Sequence, residues 1–311
     1  MITVVSAPTN LGLRPPEPGS VPGTSKAPEA LREAGLFDRL AARGARDGGV
    51  VLAGRYVDDD VTRAPGRVRN EERLVEHTRR LADRIHDVWA SGRAPLVIGG
   101  DCSILLAAGV ACAREGRAGL LHLDGHTDFR HPGNSEDCAS VAGEDLAVAV
   151  GRHWPALADI DGLSPYFDAS TVAHFGHRAN DEHAEEARNV VARVVPASLL
   201  LQQGHGPVAD DLRRVAGRGY WLHVDVDVLD PTVMPAVDSP DPGGIDAAQL
   251  TNLLAALAPS ARGASVTVFD PDLDPDGSRA RILTDVISDG LSALGAAVTN
   301  ERAQPRGAAH A

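Results

Sequence analysis

The stretch Gly119-Leu-Leu-His-Leu-Asp124-Gly-His126-Thr-Asp128 decides the fold that we predict for this chain. Its apolar beginning, residues 119–123, is typical of a buried strand, and polar side chains follow at once. Residues two apart share a face in extended chain, so Asp124, His126 and Asp128 are expected to converge beyond the strand. Carboxylate and imidazole together suit Mn²⁺, Fe²⁺, Ni²⁺ or Zn²⁺. The alternative is a capping aspartate and an ordinary loop histidine, but the clustering of all three side chains favours a metal site.

A second acidic segment, His223-Val-Asp225-Val-Asp227-Val-Leu-Asp230-Pro231, follows much later in the chain. Asp225 and Asp227 share one face of the strand predicted there, and the intervening valines take the other. An edge strand with a solvated face is the alternative. We expect Asp230 to cap a turn rather than to bind metal.

The two segments together balance the charge of two divalent ions. Asp124, Asp128, Asp225 and Asp227 are all carboxylates, and buried carboxylates are costly unless cations hold them. A water molecule between two such ions loses a proton readily, which supplies a nucleophile near neutral pH. The sequence therefore predicts a two-metal hydrolase.

Short apolar runs alternate with amphipathic segments along the chain. The predicted strands are Ile2–Ser6, Val50–Ala53, Pro95–Ile98, Gly119–Leu123, Thr171–Phe175, Val190–Val195, Tyr220–Val226 and Ala264–Phe269. The predicted helices are Pro28–Ala34, Asn70–Trp89, Cys102–Arg114, Asp181–Ala192, Pro207–Val215, Asp246–Ala258 and Ser278–Leu294. This alternation predicts an α/β fold with a mainly parallel sheet covered on both faces, in which ligands bind beyond the carboxyl ends of the strands. We expect one domain over residues 1–299 and a flexible tail over 300–311.

The composition excludes several classes of function. A net charge of −13 argues against a nucleic-acid partner, which would require a basic surface. No apolar run approaches the ~20 residues that span a bilayer, so we expect no membrane association. The three cysteines follow no zinc-finger spacing, and an odd number of them favours a reduced, cytoplasmic location.

A third motif, Gly99-Gly100-Asp101-Cys102-Ser103, is predicted to form a tight turn between a strand and a helix. Alone it is weak, since Asp101 or Ser103 could simply cap the helix. Together with the two acidic segments it resembles the ureohydrolase superfamily of arginase, agmatinase and formiminoglutamase, which carries Gly-Gly-Asp-His-Ser, Asp-Ala-His-x-Asp and Ser-x-Asp-x-Asp-x-x-Asp-Pro in this order. The resemblance implies a three-layer α/β/α sandwich, two Mn²⁺ ions, hydrolysis of a guanidinium-type C–N bond in a small molecule, and a homo-oligomer.

The resemblance also implies roles for single residues. Asp124 and Asp225 would bridge both metals, and Asp128 would bind the first. His126 and Asp227 would bind the second metal. Asp128 would additionally accept a hydrogen bond from the bridging hydroxide, which makes it a predicted catalytic residue.

Three positions depart from the family pattern at the predicted centre. Cys102 replaces the family's histidine ligand, so the first metal has either a thiolate ligand or a weaker site, and Zn²⁺, Ni²⁺ or Fe²⁺ become alternatives to Mn²⁺. Val268 stands where the family has the glutamate that holds the guanidinium group. Ala142 occupies the place of a family histidine, and we predict His131 as a substitute proton shuttle.

Two further residues are predicted to bind substrate. Arg130 stands where arginases often have asparagine and could pair with a substrate carboxylate, or it could be a surface arginine. Asp181 could receive a substrate amino group, or it could cap a helix.

The functional prediction is a metal-dependent hydrolase of a guanidino, hydroxyguanidino, amidino or formimino compound. Val268 argues against unmodified arginine as the substrate, because an apolar residue cannot pair with a buried cation. The alternative is a non-catalytic member of the family that binds metal or a small ligand. The loss of three functional side chains supports this alternative, and the retained carboxylates and histidine oppose it.

Overall fold

A computed structural model describes residues 1–298. All its strands belong to one sheet, and every adjacent pair is parallel. The strands are β1 (Ile2–Ala7), β2 (Arg46–Val50), β3 (Ala94–Gly99), β4 (Leu120–Leu123), β5 (Val172–Phe175), β6 (Arg193–Val195), β7 (Tyr220–Asp225) and β8 (Ala261–Thr267). Their order across the sheet is β2-β1-β3-β8-β7-β4-β5-β6.

Helices cover both faces of this sheet. They are α1 (Ala27–Glu33), α2 (Leu36–Ala42), α3 (Glu71–Ala90), α4 (Ile104–Arg114), α5 (Asp145–Ala149), α6 (Pro155–Ala158), α7 (Ala184–Val190), α8 (Ala197–Gln203), α9 (His205–Ala216), α10 (Ala247–Leu257) and α11 (Ser278–Gly290). The predicted three-layer α/β/α fold with a parallel sheet is confirmed.

Two apolar cores lie on opposite faces of the sheet. Alternate strand residues enter one core with α1, α2, α9, α10 and α11, and the others enter the second core with α3, α4, α5 and α6. Leu121 and Leu123 of β4 belong to the first core, whereas Leu120 belongs to the second. His122 and Asp124 therefore share the face of Leu120, which α3, α4 and α5 cover.

The sequence placed most elements correctly, with one strand displaced. The second strand is Arg46–Val50 instead of the predicted Val50–Ala53. Most of its side chains are exposed, because it is an edge strand whose position depends on backbone pairing with β1, as in the Thr3–Arg46 register. The apolar run Val50–Ala53 therefore did not mark the position of this strand.

Several predicted helices are shorter in the structure, the one predicted at Asp181–Ala192 most of all, and four short helices were missed. The segment predicted as Asp181–Ala192 is helical only over Ala184–Val190, because Asp181 accepts hydrogen bonds within the preceding turn. The missed helices are α2, α5, α6 and α8, none longer than seven residues.

The tail predicted over 300–311 lies outside the described residues, and the single domain over 1–299 stays a prediction. Within residues 1–298, no helix has the length and apolar character needed to cross a bilayer.

Candidate two-metal centre

The two acidic segments meet because their strands are neighbours. β4 and β7 pair in parallel with Leu123 opposite Val224, so Asp124 and Asp225 leave the sheet side by side at its carboxyl edge. Close approach of the two loops requires a small residue at position 125. A Cβ atom on Gly125 would lie 2.8 Å from the Asp227 carbonyl oxygen, so alanine would not fit without a shift. The Gly125 N–H instead donates to Asp227 Oδ1 at 2.9 Å.

Asp124, His126 and Asp227 form the outer group of the centre. One ligand atom from each lies within 4.8 Å of the other two. His126 Nδ1 is 2.8 Å from Asp227 Oδ2, and the His126 N–H donates to Asp124 Oδ1 at 2.7 Å. Ligand atoms on opposite sides of one divalent ion are separated by roughly 4 Å, so a small adjustment would suffice to hold a cation here.

Asp124 also belongs to an inner group, with Asp128 and His122, whose ligand atoms again lie within 4.8 Å of one another. Asp124 Oδ2 is fully buried and has no hydrogen-bond partner within residues 1–298. Asp128 has a left-handed backbone with φ of 46°, a conformation that aspartate tolerates better than most residues. The shared carboxylate with an unpaired oxygen is the arrangement expected of a ligand between two cations.

Cys102 and Asp225 lie beside these groups. The thiol of Cys102 is 2.5 Å from Asp225 Oδ2, and the Asp227 N–H donates to Asp225 Oδ1 at 2.9 Å. Burial, reinforced by the Asp225 charge, raises the pKa of Cys102 well above its usual range, so it is a thiol that donates to Asp225. Within the described chain, neither residue joins a group of three converging ligand atoms, so their metal roles stay predictions.

The electrostatics of the centre require positive charge. Burial and the neighbouring carboxylates raise the pKa of Asp124, Asp128 and Asp225 well above the ordinary value. Burial also acts to raise the pKa of Asp227, but the hydrogen bond and charge of His126 outweigh it and lower that pKa. Divalent cations would remove the repulsion among these groups, so the donor set and its charge fit two such ions.

A cavity of about 480 Å³ opens onto the centre. Asp128, Asp225 and Asp227 line it beside Cys102 and Val268. Its remaining charged lining residues are Arg14, Arg130, Arg178, Asp181, Glu182, Asp238 and Asp241. This volume lies within the range of small-molecule sites.

Arg178 positions the second acidic segment instead of facing a ligand. It is buried and donates to the backbone carbonyls of Gly176, Asp227, Val228, Leu229 and Asp241. These contacts hold the turn that carries Asp227 against the loop that follows β5.

The two predicted substrate-binding residues line the cavity but already have partners. Asp181 accepts hydrogen bonds from the N–H and hydroxyl of Thr127 at 2.8 and 2.7 Å, and from the His183 N–H. Arg130 is 3.3 Å from Glu144 Oε1 and remains partly exposed. Asp181 therefore orders the first acidic segment, whereas Arg130 keeps donors that can face a ligand.

The structure does not bring His131 to the centre. Its Nε2 lies 2.9 Å from Glu186 Oε1, its Nδ1 accepts from the Gly133 N–H, and its ring packs edge-on against Phe129. It is buried and absent from the cavity lining. Both ring nitrogens are occupied away from the cavity, so the predicted proton-shuttle role has no geometric support.

Val268 lies on the cavity wall in a strained conformation. It is 2% exposed, and its φ of 69° is an outlier for a β-branched residue. Its N–H donates to the Gly100 carbonyl at 2.8 Å, which ties it to the turn that carries Cys102. The cavity thus has an apolar wall at the position where the family pattern has glutamate.

The sequence interpretation missed a buried polar group beneath the centre, formed by His122, His174, His223 and Asp145. All four are fully buried. The signal was present, since β4, β5 and β7 each carry a histidine in an otherwise apolar strand, and His122 is the register partner of both His174 and His223. Asp145 had no comparable signal, because it begins a helix that the sequence did not predict.

The model of the arginase family matches residues 2–292. An arginase from Agrobacterium fabrum is 30% identical over 284 residues, which are 86% of this chain and 86% of that protein. A guanidinopropionase from Pseudomonas aeruginosa is 28% identical over 213 residues, which are 67% of this chain and 63% of that protein. The crystal structure of an arginase from Bacillus caldovelox superposes with a TM-score of 0.83 at 26% identity and covers 93% of this chain and 97% of its own.

The chain therefore belongs to the arginase family, whose members are hydrolases that act on guanidino compounds. The family predicted from the three motifs is confirmed.

Proposed function

We propose that this protein is a two-metal hydrolase that cleaves a C–N bond in a small guanidino, hydroxyguanidino, amidino or formimino compound, and that L-arginine is a poor substrate. The observation that carries the proposal is the pair of ligand groups that share the buried Asp124, whose members His126, Asp128 and Asp227 line the cavity. Two adjacent positions that share one carboxylate are what two-metal hydrolysis requires.

Asp124, His126 and Asp227 would hold the outer ion. Asp124 and Asp128 would hold the inner ion with Asp225 as the third ligand, because His122 Nε2 already contacts Asp145, and Mn²⁺ is the first candidate. When bound, the ions supply the charge that makes a water molecule acidic enough to act near neutral pH. Asp128 would accept a hydrogen bond from that water. Arg178 and Asp181 do not react, but they fix the two loops that deliver the ligands.

The cavity walls support the choice of substrate. Carboxylates outnumber arginines among the residues that line the cavity, so a ligand with positive or hydrogen-bond-donating character is favoured. Arg130 can meet a negatively charged group at the other end of the ligand. Val268 provides no carboxylate for a guanidinium group, and a less basic C–N compound tolerates an apolar wall better.

Metal analysis and a product screen test the proposal. The protein is loaded with Mn²⁺, its metal-to-protein ratio is measured by mass spectrometry, and urea and ammonia release are measured over guanidino, hydroxyguanidino, amidino and formimino compounds. We expect at least two ions per chain, and turnover on one of these compounds that exceeds turnover on L-arginine.

Asp227→Asn is the diagnostic variant, and Glu136→Gln, which changes an exposed carboxylate, is its control. The first should lower both metal content and activity, and the second should change neither. Metal binding without turnover on any compound would favour the non-catalytic alternative. A chain that binds no metal would refute both.

A further inference from the structure

Three buried groups beneath the two-metal centre converge on one point. His122 and His223 lie opposite each other on β4 and β7, and their rings stack at 5.2 Å with 19° between the planes. Asp145, from the first turn of α5, faces both rings. His122 Nε2 is 3.1 Å from Asp145 Oδ1, and His223 Nε2 is 3.5 Å from Asp145 Oδ2.

We propose that His122, His223 and Asp145 form a third metal position, closed to solvent, that takes a divalent transition-metal ion of the Zn²⁺ class. One ligand atom from each of the three lies within 4.8 Å of the others, and all three side chains are fully buried. Two imidazoles and one carboxylate suit such an ion. The inference rests on this geometry and holds whatever reaction the centre above performs.

The separations have the length that a shared ion would impose. Ligands about 2.1 Å from a metal, at angles between octahedral and tetrahedral, lie roughly 3.0–3.4 Å apart. The two measured contacts, 3.1 and 3.5 Å, are close to this range. Direct hydrogen bonds would explain the shorter contact but not the longer one, which lacks hydrogen-bond geometry and leaves Asp145 Oδ2 without a partner within residues 1–298.

A comparison within the same chain supports the need for a cation. Cys138, Glu144 and His153 also bring three ligand atoms together. Both Glu144 oxygens already have donors there, namely the N–H groups of Ala139 and Ser140, the Arg130 guanidinium and the His153 ring. Asp145 is equally buried and has fewer donors, and a buried carboxylate in this situation is costly unless a cation holds it.

The surrounding hydrogen bonds orient both imidazoles for metal binding. His223 Nδ1 is 2.8 Å from Ser265 Oγ, and His122 Nδ1 is 2.9 Å from His174 Nδ1. His174 Nε2 in turn is 3.2 Å from His177 Nδ1. If both Nε2 atoms bind an ion, each Nδ1 carries the proton and donates to these partners, so every ring has a consistent tautomer.

Anomalous diffraction from crystals grown with Zn²⁺ tests the site directly. Data are collected on both sides of the zinc edge. We expect a peak about 2.0–2.2 Å from His122 Nε2 and from His223 Nε2. A further peak against Asp124 and Asp128 is expected from the two-metal centre, but if the ion bonded to His122 lies against those two residues and not against His223 and Asp145, the proposal is overturned. No peak near His122 would also overturn it.

Asp145→Asn tests the same site in solution. This variant should bind one zinc ion fewer per chain than the wild type in equilibrium dialysis. Glu144→Gln is the matched control, because it changes the neighbouring, equally buried carboxylate, and it should keep the wild-type zinc content. Equal zinc content in all three proteins would refute the proposal. If either variant fails to fold, the diffraction experiment on the wild type decides alone.

Discussion

Replacing Val268 by glutamate should make L-arginine, whose guanidinium group is fully charged, a better substrate. Val268 lies on the wall near Asp128 and Asp225, with its side chain buried. Its φ of 69° is less unfavourable for glutamate than for valine, because glutamate is not branched at Cβ. The backbone therefore does not oppose the substitution.

The magnitude follows from the contact that the variant would create. A hydrogen bond to a charged group in a buried site is worth ~1.5–3 kcal/mol, and more where both partners are charged. This corresponds to an increase in kcat/KM for L-arginine of roughly 10- to 150-fold, since ~1.4 kcal/mol is tenfold. The metal-loaded protein must be used, because bound cations offset the repulsion between the new carboxylate and the aspartates of the centre.

The assay is urea release from L-arginine by Val268→Glu, Val268→Gln and the wild type under identical metal loading. The glutamine variant is the control, because it has the same size and polarity without the charge. We expect kcat/KM for L-arginine to rise in the glutamate variant but not in the glutamine variant. Equal rates in the two variants would show that no guanidinium group reaches this wall, and the reasoning about substrate choice would fail.

Three further outcomes are expected. Cys102→His should raise Mn²⁺ occupancy of the inner position, since imidazole suits this ion better than sulfur does, and Cys102→Ser should leave the outer position occupied. Identical metal ratios in all three proteins would mean that Cys102 only packs. Burial lowers the pKa of His77 from 6.5 to about 4, so between these pH values the unfolded chain binds a proton that the folded chain does not. The free energy of unfolding should therefore fall by about 2 kcal/mol as pH drops from 6.5 to 5. Urea unfolding of His77→Gln should show a smaller loss, and an equal loss would assign the effect to other groups. Arg178→Met should lower the free energy of unfolding by about 3 kcal/mol or more, because it leaves several buried carbonyls without donors. A change below about 1 kcal/mol would refute the positioning role of Arg178.

The sheet was predictable from sequence because its central strands are buried on both faces. Such strands are continuous apolar runs, and polar residues mark where they stop. The edge strand Arg46–Val50 was misplaced because backbone pairing, not burial, sets its position. Short helices such as Asp145–Ala149 carry too little periodic signal to be recognised.

The centre was predictable only where residue type, spacing and strand ends coincided. Asp124, His126 and Asp227 met these conditions, and the structure brings them together. His131 did not meet these conditions. It was predicted as a proton shuttle only because Ala142 stands at the family's histidine position, and the structure places it against Glu186.

The two departures from the family pattern at Cys102 and Val268 lie on neighbouring turns that are hydrogen-bonded to each other. β3 and β8 are adjacent, so the turn after β3 and the residues after β8 share contacts. The Val268 N–H donates to the Gly100 carbonyl, and Cys102 Sγ lies 3.4 Å from Thr267 Oγ1. These bonds link the two positions through Gly100 and Thr267, and the effects of residues that share neighbours need not add. The gain from Val268→Glu should depend on the residue at position 102, and the double variant that also carries Cys102→His should differ from the sum of the two single changes by about 0.5 kcal/mol or more. The proposed inner metal position and the proposed substrate wall are thus linked through neighbouring turns, so we expect a change at one of them to alter the effect of a change at the other.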